Sequence, residues 1–295
     1  MKKLTMPRII GILCIIIAAF LYFRGMGFFS IAIAGIILLV AQTKHAQESF
    51  DKFIETFTQW KIIIITALYD ALYWMLVFAS VYFYQWRLNL LAGTTKEGVV
   101  LDKQAMLTNP DILNQNVEVL QTLFVFLFAG AIILIIFTLI TYTLSRGMIW
   151  TTLADKKPNK KFFLRFLGLN SLWWLIWLPF LIISGLATKQ APAAQNTAIL
   201  FIMIAAYFTP ILHTLFVSGR KIGESIGNAF AIGISKLFKF VVPYTLAFIV
   251  YIIIYQLFRI VPTQQKMIFA ASMLLVVLYF AWLRTYLYQI IKKLV

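Results

Sequence analysis

The chain has 295 residues, of which 62% are hydrophobic, and a mean hydropathy of +0.90. Soluble domains are about half apolar, so this composition excludes an ordinary water-soluble fold and points to a membrane protein. The net charge of +16 is spread over short loops between apolar runs, not gathered in a basic domain, which argues against nucleic acid and for anionic lipid headgroups as the partner.

The first residues, MKKLTMPRIIGILCIIIAAFLYF, have the basic start and apolar core of a signal sequence. No small-residue cleavage site follows before Arg24, and the expectation is an uncleaved first span. Span 1 (9–23) and span 2 (28–41) are joined by Arg24-Gly25-Met26-Gly27. Both are short against the ~20 residues that cross a ~30 Å hydrocarbon core. They read as tilted spans or a re-entrant hairpin, forming an N-terminal domain over 1–45. The single cysteine, Cys14, lies inside this apolar run.

Residues 46–61 have a different pattern. Phe50, Phe53, Ile54 and Phe57 fall on one helical face, with Glu48, Asp51, Lys52 and Glu55 opposite. This is the pattern of a helix lying in the membrane surface. Span 3 is expected over 62–84, followed by a solvated connector over 85–117. Within it, Asn109-Pro110-Asp111 reads as a helix start, with Asn109 as cap and Pro110 in the first turn. Span 4 then runs to about Leu144.

The stretch 155–180, DKKPNKKFFLRFLGLNSLWWLIWLPF, repeats this order. A basic run leads into an amphipathic segment (Phe163, Phe166, Leu167) and then into span 5 (167–187). Span 6 is expected over 197–217. A third amphipathic segment covers 223–238, with Ile226, Phe230, Ile234 and Leu237 on one stripe, before spans 7 (240–260) and 8 (267–290). The fold class is therefore all-α, a polytopic membrane bundle of about eight spans. Its core over 46–295 comprises three units, each an amphipathic helix followed by a hairpin.

With the N-terminus inside, 18 of the 26 Lys and Arg fall on inner segments and seven on outer ones, Arg284 lying within a span. That bias places both termini in the cytoplasm of a cell-membrane protein. Lys156, Lys157, Lys160, Lys161 and Arg165 form the densest inner cluster and are the candidate lipid-headgroup contacts.

The third unit, GRKIGESIGNAFAIGISKLFKFVVPYTLAFIVYIII, resembles the loop-helix-span pattern of the membrane domain attached to some glycerophosphodiester phosphodiesterases. The resemblance covers the layout of 47–287 and implies a six-helix membrane core without chemistry. No stretch here reads as the catalytic barrel of those enzymes. The same segment is similar to the cytoplasmic coupling loop of ABC import permeases, since Glu224 stands 19 residues before Pro243. The glycine expected near Phe230 is missing, and a single coupling loop does not fit an architecture repeated three times.

Four polar residues inside the spans are the candidate site. Asp70 is the only acidic one, and a charge there costs at least ~2.5–3.5 kcal/mol unless it meets a partner. Arg284 lies at a similar depth, about nine against six residues from the inner ends of their spans at ~1.5 Å per residue. A structural ion pair, a substrate or ion site, and the absence of contact are the three readings. His213 lies beside Thr209, Pro210 and Thr214 and reads as a hydrogen-bonded core residue, since further metal ligands at suitable spacing are missing. Asn170 and Ser171 are placed to hydrogen-bond between helices. Trp173, Trp174 and Trp177 read as packing residues of span 5. No HExxH helix, P-loop, GxSxG elbow or dinucleotide fingerprint occurs. The expectation is a non-enzymatic, lipid-interacting or scaffolding protein without cofactor or metal. The alternative is a transporter or permease component for a lipid or apolar solute.

Overall fold

A computed structural model describes residues 44–98, 110–187, 192–260 and 266–295. Among them are eight α-helices and no strand: α1 Lys44–Thr58, α2 Trp60–Gly98, α3 Pro110–Leu153, α4 Lys160–Ala187, α5 Pro192–Val217, α6 Ile222–Ser235, α7 Leu237–Ile260 and α8 Lys266–Leu294. Six of these, α2 to α5 with α7 and α8, are long and apolar enough to cross a membrane. Spans 1 and 2, with Cys14, lie outside the described residues, as do the expected cap Asn109 and the outer loop at Lys189.

Two expectations need correction. The first part of the connector 85–117 is helical, since α2 continues to Gly98, while α3 opens at Pro110 where the helix start was expected. Polarity alone does not stop a helix. Once nucleated, a helix gains a backbone bond with each added residue until a breaker intervenes, and residues 85–92 contain neither Gly nor Pro. At 39 and 44 residues, α2 and α3 reach about 58 and 66 Å, beyond the ~30 Å hydrocarbon thickness.

The middle amphipathic segment is likewise not a separate helix. Single-residue breaks at Gln59 and Lys236 set α1 off from α2 and α6 from α7. In α4 the helix runs unbroken from Lys160. Its start is fixed by Asn159, whose side-chain oxygen accepts from the Phe162 N–H at 2.7 Å, an N-cap that satisfies a first-turn donor. Downstream of it 163–178 contains one glycine and no proline, so nothing divides the amphipathic turn from the apolar span.

The described residues divide into two compact units. The first holds 69–148 and 158–171, where α2 and α3 run antiparallel. Position rises along α2 as it falls along α3: the Ser145 hydroxyl donates to the Tyr69 carbonyl at 3.0 Å, Tyr73 faces Tyr142, and the Tyr84 hydroxyl donates to the Leu127 carbonyl at 3.0 Å. Gly130 admits the Tyr84 ring, which a β-carbon there would overlap. Outward, the pair shows Leu72, Met75, Phe78, Phe124, Phe128 and Ile132, all exposed. Contiguous apolar surface of this extent is a liability in water and the expected surface against lipid tails.

The second unit holds the described residues of 44–68 together with 149–157 and 172–295. Helix α1 docks on α8, where the Phe53 ring meets Trp282 at 5.2 Å and Tyr286 at 5.8 Å. The Tyr286 hydroxyl donates to the Ser49 carbonyl at 3.1 Å. Helix α6 packs on α5 through a stripe of small buried residues, Ser225, Ala229 and Gly233. This close approach lets the Tyr207 hydroxyl reach the Gly233 carbonyl at 2.7 Å. The fully buried centre includes Ile149, Trp150, Leu212, His213, Leu215, Phe240, Tyr286 and Ile291.

Candidate functional site

Three helix ends of the second unit meet around one cavity of about 480 Å³. Ala154 and Lys156 come from just beyond α3, Thr214, Val217, Ser218 and Arg220 from the end of α5 and the turn after it, Tyr288 and Lys292 from α8, and Val295 from just beyond α8. The first is positioned by a helix-ending motif. The Asp155 N–H donates to the Thr152 carbonyl at 3.2 Å and the Lys156 N–H to the Thr151 carbonyl at 2.9 Å. Asp155 has φ 52°, the left-handed conformation that glycine more often supplies. This Schellman turn swings Lys156 across to α5, where its Nζ donates to the Val217 carbonyl at 2.7 Å.

At the end of α5, Ser218 and Gly219 close a tight turn onto Thr214 and Phe216. Gly219 has φ 109°, which bars most side chains. That turn sets Arg220 at the cavity wall. On α8, Lys292 lies 5.8 Å from the centre of the Tyr288 ring one turn earlier. Helix C-termini carry partial negative charge and unpaired carbonyls, so a cation such as Lys156 is favourable there. Lys156, Arg220 and Lys292 line the cavity with the hydroxyls of Thr214, Ser218 and Tyr288 and with no Asp or Glu side chain. The three side-chain cations suit an oxyanion, while the Thr214 and Ser218 hydroxyls donate to the Pro210 and Leu215 carbonyls at 2.8 and 2.6 Å.

Of the five expected headgroup cations, only Lys156 lines this cavity. Lys157, Lys160, Lys161 and Arg165 are exposed, the last three in the first unit. The cations that join Lys156, namely Arg220 and Lys292, were counted in the sequence only towards orientation. They stand 64 and 72 positions apart along the chain, and the signal for them was only that each follows or closes a helix ending on the same side.

Asp70 is buried in the first unit, and its partner there is Arg146, Nη1 to Oδ1 at 2.5 Å. The guanidinium lies 5.7 Å from the Tyr73 ring centre and 5.2 Å from that of Tyr142. The expected partner, Arg284, belongs to the other unit. The assignment missed Arg146 because the apolar run was ended at Leu144, whereas α3 continues to Leu153. Asn170 is fully buried and donates from Nδ2 to the Thr143 hydroxyl at 3.2 Å, tying α4 to α3. His213 is buried with its ring 5.5 Å from that of Trp150. Trp173 donates to the Thr209 hydroxyl at 2.9 Å. Glu224 accepts from the Lys221 N–H at 3.3 Å and so helps cap α6.

Among the described residues no group of three or more His, Cys, Asp or Glu side chains comes together. Comparison with known proteins finds no matching family model, no similar curated protein and no similar solved structure.

Proposed function

We propose that this chain is a multi-pass protein of the cell membrane that binds acidic phospholipid on its cytoplasmic side. The phosphate would lie in the cavity of Lys156, Arg220 and Lys292. The observation that carries the reading is this convergence of three cations without an Asp or Glu side chain. A second observation agrees with it: the exposed faces of α2 and α3 are apolar over lengths that only lipid would cover. Basic pockets of this kind between helices on the cytoplasmic side suit anionic headgroups. On this reading the protein acts by lipid interaction or scaffolding and not by catalysis, and Lys157, Lys160 and Lys161 add a less specific attraction to the same surface. The layout resemblance to phosphodiesterase-linked membrane domains is compatible with that role.

The test is binding of phosphatidylglycerol against phosphatidylcholine by native mass spectrometry. The triple variant Lys156→Gln/Arg220→Gln/Lys292→Gln is expected to lose about 1 kcal/mol per neutralised cation, about a hundred-fold in all. The variant Lys157→Gln/Lys160→Gln/Lys161→Gln is expected to lose less. Equal preference for the acidic lipid in the wild type and the first variant sinks the reading. Carriage of a lipid or apolar solute is the second reading, favoured by the groove beside Arg284.

A further inference from the structure

We infer that the groove between α5, α7 and α8 is a binding site for a long-chain carboxylate, with the acyl chain along its apolar wall and the acid group at Arg284. The groove has a volume of about 570 Å³, within the ~300–1,000 Å³ range of small-molecule sites. Met203 and Pro210 of α5, Phe240 and Tyr244 of α7, and Phe280 and Arg284 of α8 mark its walls. All lie in the second unit.

Two features select the ligand. The first is the sparseness of the polar lining. The hydroxyls of Tyr207 and Tyr244 donate to backbone carbonyls, those of Gly233 at 2.7 Å and of Tyr207 at 3.2 Å. Their rings serve as apolar wall. Arg284 is the one charged side chain among the described lining residues. A planar guanidinium matches a carboxylate through two parallel hydrogen bonds, whereas a phosphate with a polar headgroup would need more donors than this lining offers.

The second feature is position. Arg284, Tyr288 and Lys292 follow one another at i, i+4 and i+8. Arg284 therefore lies about 6 Å along α8 from Tyr288 at the edge of the basic cavity and about 12 Å from Lys292, at ~1.5 Å per residue. An acid group held there is buried within the apolar part of the helix, a depth suited to a single-chain amphiphile and not to a headgroup anchored at the surface. The residues that line the groove are separate from the cations proposed for phospholipid, and the site stands whether or not that reading holds.

The test uses the full chain in detergent with oleate and its methyl ester as probes, read by displacement of a fluorescent fatty acid. Wild type is expected to bind oleate about ten-fold more tightly than the ester. Arg284→Gln should abolish that difference while retaining the ester. Because Arg284→Gln also risks misfolding, Ala206→Trp fills the groove from an exposed position of α5 and should weaken both probes. Lys156→Gln/Arg220→Gln/Lys292→Gln should leave oleate binding unchanged, which separates this site from the phospholipid cavity. Equal binding of acid and ester by the wild type overturns the proposal. So does unaltered oleate binding by Ala206→Trp, or displacement of oleate by phosphatidylglycerol at lower concentration than by a second fatty acid.

Discussion

Asp70 and Arg146 form a buried ion pair between α2 and α3, with the guanidinium beside the touching rings of Tyr73 and Tyr142. One oxygen of the carboxylate carries the contact, and the two aromatic ring centres lie 5.7 and 5.2 Å from the cation. The pair fixes how the two longest helices meet, since it lies in register with the Ser145–Tyr69 hydrogen bond.

Removing one partner leaves an uncompensated charge in an apolar setting. Asp70→Asn is expected to cost about 3–5 kcal/mol, seen as a lowered unfolding midpoint in detergent. Asp70→Leu combined with Arg146→Met should recover most of that loss, because a buried pair replaced by apolar groups of similar volume is often neutral. Additive losses in the double variant would show that the two side chains are not coupled.

Helix α6 offers a comparison of two glycines six residues apart. A β-carbon on Gly233 would overlap the Phe208 ring, whereas one on Gly227 meets nothing within 4 Å. Gly233→Ala is expected to destabilise by about 1–3 kcal/mol through overpacking. Gly227→Ala is expected to stabilise by about 0.5–1 kcal/mol through helix propensity. Thermal unfolding of the two variants side by side checks both signs.

Docking of α1 on α8 is testable by its own exposure. Phe53→Ala removes the ring held against Trp282 and Tyr286 and is expected to cost about 3–5 kcal/mol. Tyr286→Phe loses the buried bond to Ser49 and should cost about 1–3 kcal/mol. In hydrogen exchange, the amides of α1 should lose protection in both variants before those of α5 change. Unchanged protection of α1 would mean that these contacts do not hold it.

The proposed orientation has a direct measurement. In a Cys14→Ser background, a cysteine at exposed Lys157 should react with an impermeant maleimide only after the cytoplasmic side is opened. Labelling from outside intact cells would reverse the topology and move the basic cavity to the other face.

Element positions were legible in the sequence where hydrophobicity carried them. The helices α5, α7 and α8 begin within five residues of the expected spans, because apolar runs bounded by charge mark a membrane helix at both ends. Asp70 was legible as a residue that needs a partner, from the cost of charge in an apolar run alone. Its partner was not, since depth counted from span ends depends on where α3 stops, and a Ser-Arg-Gly sequence looks like a stop. For α1 the period of Phe50, Phe53, Ile54 and Phe57 showed a helix but not its docked side. Ala46, Ser49 and Thr56 are buried while Ile54 and Phe57 are exposed, because close approach to α8 favours small residues. The cavity cations come from three helix ends distant in the chain, and no local pattern encodes such a meeting.

The hydrogen bond from Tyr286 to Ser49 joins positions 237 residues apart. During synthesis α1 emerges well before α8, the helix it docks on. Until α8 is in place, Phe53 lacks the Trp282 and Tyr286 rings it packs on. The amphipathic pattern of α1 gives it a provisional seat at the membrane surface. Phe53 thus serves twice, first in the apolar stripe of an unfinished chain and then against the Trp282 and Tyr286 rings.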